Sequence, residues 1–245
     1  VTPSLVALDA HGRVFWLRAA RDAADPAPTI WRDDPPAWTQ LAAIAGARGL
    51  CGARVGVHVL APPGLHRLGA GNRAEPAPLT LDLGEVTGFA CAGDVAYLAG
   101  PAGITRHDLD ADRGRAVTRM SSTATSALVA RPDGHVLYAA AGRAIMELTL
   151  PDGAEATLVE LPAPITALAH TPAGLAAIAG GALHGINTRQ RRHIMIRALP
   201  AALAAASLAA HHRGDLLLAT ATTIHRCYGD GSDLHEVTPP GPTRP

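Results

Sequence analysis

The feature that most constrains this chain is a repeat, in which short apolar segments run into a glycine turn and recur about every 40 residues. The clearest copies are Ser4-Leu-Val-Ala-Leu-Asp-Ala-His-Gly12, Ser126-Ala-Leu-Val-Ala-Arg-Pro-Asp-Gly134 and Thr166-Ala-Leu-Ala-His-Thr-Pro-Ala-Gly174. Val86-Thr-Gly-Phe-Ala-Cys-Ala-Gly93 and Ser207-Leu-Ala-Ala-His-His-Arg-Gly214 follow the same form, and Leu41-Ala-Ala-Ile-Ala-Gly-Ala-Arg-Gly49 is a weaker copy. A second apolar segment follows each turn, as in Arg13-Val-Phe-Trp-Leu and His135-Val-Leu-Tyr-Ala. A third alternates apolar with polar residues, the pattern of a half-exposed strand. A fourth carries more charge, as in Arg192-His-Ile-Met-Ile-Arg197.

Four strands per 40-residue unit, small and apolar first and charged last, describe a propeller blade whose inner strand crowds an axis and whose outer strand meets water. Six units fill the 245 residues. The expectation is an all-β, six-bladed β-propeller forming a single domain over 1–245, with approximate blades 4–40, 41–85, 86–124, 125–164, 165–205 and 206–238. The alanine-rich stretch 200–210 conflicts with this locally and is given one helical turn. The Pro-rich end from Pro239 to Pro245 makes a poor central strand, so the first and last blades are expected to close the ring by packing.

Segments such as Ser126-Ala-Leu-Val-Ala-Arg-Pro-Asp-Gly-His-Val-Leu-Tyr-Ala-Ala and Thr223-Ile-His-Arg-Cys resemble degenerate NHL-type repeats and the blades of six-bladed sugar-lactonase-like propellers. WD40 proteins share the period, but no repeat here ends in Trp-Asp, so the chain is WD40-like only in a loose sense. The resemblance implies a recognition scaffold, with hydrolase, lyase or oxidoreductase activity in a minority of such folds. Fold alone does not choose among them.

Composition narrows the choice. Twenty-one basic and twenty-one acidic residues cancel, which removes the broad attraction to phosphate backbones or anionic membranes, so neither nucleic acid nor membrane is an expected partner. No apolar run is long enough to span a bilayer, and the N-terminus lacks the basic-then-apolar pattern of a signal peptide. Cys51, Cys91 and Cys227 are odd in number and show no CxxC spacing, so neither a disulfide framework nor a cysteine zinc site is expected, and a reducing cytoplasm fits best.

Twelve histidines invite a metal or acid/base reading. Trp31, His66, His107, Met146, His184 and His225 fall in one slot of the third strand, and interchange with Trp and Met marks that slot as packing. The end of the innermost strand is the better candidate site. There Asp9, Cys91, Arg131, His170 and His211 would ring one mouth of the channel. His170 and His211 with Asp9 could bind a divalent metal or transfer a proton, and Arg131 could hold an anion. The candidate ligand-binding set is therefore Asp9, Arg131, His170 and His211, with no catalytic residue, metal or cofactor assigned.

The lactonase-like resemblance demands carboxylate and Asn ligands at that mouth. The only asparagines, Asn72 and Asn187, fall in outer turns, and the entrances to the inner strands read Thr87, Ser126, Thr166 and Ser207, with Glu85 a lone acid. Gly-x-Ser-x-Gly is absent. Arg189-Gln-Arg-Arg-His193 is the densest basic run; it could meet phosphate or an acidic protein, but as a lone run it reads as a solvated turn. The three tryptophans, Trp16, Trp31 and Trp38, sit in the first repeat and read as core rather than as a binding patch.

The function expected from the sequence is a non-catalytic scaffold that binds a protein or peptide, as one component of a larger bacterial signalling or defence-type assembly. The alternative is a lactonase-like hydrolase or small-ligand sensor with its site at the channel mouth.

Overall fold

The computed structural model describes residues 5–8, 12–19, 27–34, 37–53, 56–62, 64–68, 74–80, 86–109, 117–211 and 213–238. Their strands form six separate four-stranded antiparallel sheets, each built from four strands consecutive in the chain. The sheets occupy 6–43, 49–80, 88–121, 127–160, 165–198 and 207–236, and are numbered here as blades 1 to 6. The chain is a six-bladed β-propeller.

The apolar inner strands do what their composition dictates. Runs such as Ala127–Ala130 and Ile165–Thr171 supply small side chains that let six sheets converge, while second strands such as Gly174–Ala179 are buried along their whole length. Bulkier residues fill the space between blades. Tyr138, Ile145, Leu158 and Leu161 of blade 4 and the segment after it pack on Leu168, Leu175 and Ile186 of blade 5. Some turns admit only glycine. Gly103 has φ +108°, and a Cβ there would run into the Ser121 carbonyl group.

A β-bulge recurs between the third and fourth strands, at Ile30/Trp31, Leu65/Arg67, Ile104/Thr105, Ile145/Met146 and Leu183/His184. It coincides with the slot that repeats Trp, His and Met. Register corrects one member of that slot. The residue across the hairpin from Leu98 is Thr105, so Thr105 and not His107 is the counterpart of His66 opposite Val59. His107 lies two residues further on, buried, with its Nε2 2.9 Å from Thr105 Oγ1. Trp31 and His184 are buried, and Met146 packs against the blade 3–blade 4 core.

The weak second repeat also needs reframing. Residues 41–43 end the outer strand Ala37–Ala43 of blade 1, and Gly49 opens the inner strand Gly49–Ala53 rather than closing a hairpin. The alanines mimic an inner strand, but the segment's partner is the third strand Thr29–Asp34. The expected helical turn is present as a 3-10 turn at Ala201–Leu203.

Among the described residues ring closure uses no exchanged strand, because the four strands of blade 6 all come from 207–236. Blade 1 and blade 6 share an apolar cluster of Val6, Val14, Trp16 and Trp31 with Leu217, Ala219 and Ile224. Trp16 Nε1 donates to the Thr220 carbonyl at 3.2 Å and Ala19 N to the Ala221 carbonyl at 2.9 Å. Residues 239–245 lie outside the described residues.

Candidate functional site

The six inner strands enclose a cavity of about 240 Å³ on the propeller axis. Its wall is mostly small and apolar, with residues such as Ala7, Leu50, Ala90, Leu128 and Leu208. The hydroxyls that enter it are bonded from blade to blade. Thr87 donates to the Thr125 carbonyl ahead of blade 4. Ser126 donates to the Ile165 carbonyl of blade 5 at 2.9 Å, and the Thr166 hydroxyl lies between the Ile178 carbonyl of its own blade at 3.3 Å and the Ala204 carbonyl ahead of blade 6 at 3.5 Å. Ser207 Oγ accepts the Leu5 amide of blade 1 at 3.0 Å. These entrance positions of the inner strands serve as inter-blade fasteners.

Cys51 and Cys91 provide the same linkage covalently. Their Cα atoms are 5.8 Å apart and their sulfurs form a disulfide between the inner strands of blades 2 and 3. This corrects the expectation that the cysteines are unpaired. Cys227 stays a free thiol, and burial pushes its pKa up to about 11.

The four candidate rim residues separate. Asp9 lies outside the described residues. His170 lines the cavity, and its ring stacks on Tyr138 with centroids 6.5 Å apart. Burial, and then the positive charge of Arg131, pulls its pKa below the ordinary imidazole value, so the ring is neutral near pH 7. Arg131 is held by an ion pair to Asp133 at 2.7 Å. Asp133 in turn is pulled down to about 2 by the Arg131 hydrogen bond. His211 serves its own hairpin: its Nδ1 accepts the Arg213 amide at 3.2 Å, and its carbonyl accepts the Gly214 amide at 2.8 Å. The structure therefore brings His170 and Arg131 together around Tyr138 and commits His211 to a turn. Among the described residues, no three of His, Cys, Asp and Glu gather to hold a metal ion.

A second feature lies away from the axis. The large apolar side chains exposed among the described residues are Ile194, Met195 and Tyr228, at 68%, 66% and 56%. They sit at the outer margin of blades 5 and 6. An isoleucine and a methionine exposed on the two faces of a sheet edge signal a contact surface, because edges are normally guarded by charge. The run Ile194-Met-Ile196 was visible in the sequence as an outer strand with an apolar middle, and that was its signal.

No protein-family model matches this chain, and no curated protein does. Solved structures match over nearly its whole length. The extracellular domain of a hybrid two-component system of B. thetaiotaomicron is 14% identical with a TM-score of 0.60, covering 96% of this chain, which spans 33% of that one. Streptogramin B lyase is 14% identical with a TM-score of 0.63, covering 97% of this chain and 83% of its own. PorZ, a bacterial surface component of the type-IX secretion system of Porphyromonas gingivalis, is 13% identical with a TM-score of 0.62, covering 99% and 39%. The likeness is one of fold. The cytoplasmic expectation does not survive these neighbours, which include an extracellular domain and a surface component. The Cys51–Cys91 bond runs the same way, since such bonds persist in oxidising compartments.

Proposed function

We propose that this propeller is a non-catalytic scaffold that binds a protein or peptide partner outside the reducing cytoplasm, as part of a larger bacterial assembly. The observation that carries this reading is how the polar groups of the channel are used. Thr87, Ser126, Thr166, Ser207 and the Cys51–Cys91 pair face neighbouring blades, Arg131 faces Asp133, and His211 its own turn. A ring fastened in this way is a rigid frame for the turns and edges around it. Ile194 and Tyr228, which line one groove between blades 5 and 6, give that frame an apolar surface to offer.

A small-ligand site at the mouth is the second reading. It is favoured by one specific arrangement, the neutral His170 ring on the cavity wall stacked on Tyr138 beside Arg131. Streptogramin B lyase carries an enzyme on the same fold, so the architecture tolerates either use. The test is affinity capture of the native complex, followed by substitution of surface residues one blade at a time. A partner lost on altering one blade margin supports the scaffold. A chain that emerges alone, with a divalent metal that disappears in His170→Ala and His211→Ala, overturns it in favour of the mouth.

A further inference from the structure

Blades 5 and 6 part at their outer margin to leave a groove of about 1080 Å³. Its apolar lining includes Leu175, Ile186, Ile194 and Ile196 from blade 5 and Leu216 and Tyr228 from blade 6. Gly185 keeps the blade 5 side low, since a Cβ there would come within 3.2 Å of Ile196 Cδ1. The two sides are fixed against each other, because Arg197 donates to the Gly231 carbonyl and Ile196 packs against Gly231. The groove is thus formed before anything enters it, which lowers the ordering cost of binding.

Its charge is lopsided. Arg192 stands on one side and Arg213 on the other, with Arg189 and Arg191 in the turn that leads to Arg192. All four are exposed, and none has an ion pair among the described residues. Of the two acids of the lining, Asp215 is neutralised by its pair with Arg226, while Asp230, which accepts the Ser232 amide and hydroxyl, leaves one negative charge against the two arginines. The basic run at 189–193 is therefore not isolated, because the fold sets Arg213 of the next blade opposite it. Among the described residues the outer strand Arg192–Ala198 is also a sheet edge with no strand paired to its outer side.

We infer that this groove binds an extended peptide segment of a partner protein, with a large apolar side chain seated between Ile194 and Tyr228 and acidic residues on either side of it meeting Arg192 and Arg213. The inference deepens the scaffold reading and rests on it. An apolar floor selects the buried side chain, the guanidinium groups select carboxylates, and the sheet edge accepts an extended backbone.

The experiment selects a random dodecapeptide library on the immobilised, disulfide-intact chain and then measures binding of a synthetic copy of the most enriched peptide. The expected peptides place Asp or Glu beside a large apolar residue. Affinity falls about tenfold or more in Arg192→Ser/Arg213→Ser and in Ile194→Ser/Tyr228→Ser, and holds in His170→Ala. These are exposed surface positions, so an unchanged thermal melt accompanies the loss. Peptides without acids, equal competition by heparin, or self-association of the chain through this face overturn the inference. Peptides whose affinity ignores the groove substitutions overturn the groove and leave the scaffold standing. A selection that enriches nothing overturns both.

Discussion

Cys51 and Cys91 are 40 residues apart in sequence and 5.8 Å apart at Cα, although the register of their hairpins sets Cys51 level with Ala90 and Cys91 level with Gly52. The bond joins the inner strands of blades 2 and 3 at the cavity wall. It closes a 40-residue loop, for which loop entropy predicts a stabilisation of about 3–4 kcal/mol. Cys51→Ser/Cys91→Ser is expected to lower the melting temperature by on the order of 10 °C. A shift indistinguishable from zero would mean that the bond does not form.

Thiol counting reads the same pairing chemically. A disulfide reagent should find no reactive thiol in the native oxidised protein, because Cys227 is buried with its pKa pushed up to about 11. It should find one on unfolding and all three after reduction. Three thiols on unfolding without reductant would contradict the pairing.

The hydroxyl fasteners are expected to be worth about 1 kcal/mol each. Ser126→Ala removes the bond to the Ile165 carbonyl, and Thr166→Val the hydroxyl shared between the Ile178 and Ala204 carbonyls. Urea unfolding should show losses of that size with an unchanged slope. Variants as stable as the parent would reduce these hydroxyls to bystanders.

Acid should destabilise the fold through buried histidines. His58 is buried in blade 2, and burial, reinforced by Arg67, pulls its pKa from 6.5 to about 4. The folded state thus takes up its proton later than the unfolded state. The stability this group permits is complete above pH 6.5 and drains away as pH falls towards 4. The loss attributable to it at pH 5 is roughly 2 kcal/mol. His107, His184 and His225 shift in the same direction, chiefly by burial. His58→Leu should gain on the parent as pH drops from 7.5 to 5, measured by urea midpoints. A constant difference between the two would contradict a buried neutral imidazole.

Ring closure depends on Trp16, fully buried where blade 1 meets blade 6. Trp16→Ala should cost about 3–5 kcal/mol, whereas Trp16→Phe, which loses chiefly the bond to the Thr220 carbonyl, should cost about 1 kcal/mol plus some packing. Equal effects would place the contribution in the hydrogen bond rather than in the packing.

The architecture was legible because a propeller writes its period into the chain: the turn glycines at 93, 134, 174 and 214 and the small inner strands announce it. Blade 2 was misframed because Leu41-Ala-Ala imitates an inner strand, and the pattern of alanines does not say which strand of a blade they fill. The cysteines held part of the remedy, since a spacing near the blade period points to neighbouring inner strands; the exact frame is set by register, with Gly49 opposite Leu60 as Gly88 is opposite Ala99. The rim set was only partly legible. A strand-end position can be read from a repeat, but whether Arg131 turns to a ligand or to Asp133 depends on the local turn. The basic run at 189–193 stood alone in sequence because Arg213 reaches it only across a blade boundary.

The most direct measurement of the central claim is native mass spectrometry of the protein purified gently from the cells that make it. The account predicts the chain bound to a protein or peptide, with the complex persisting in His170→Ala. A chain found alone with a metal ion or small metabolite, lost in His170→Ala, would contradict it.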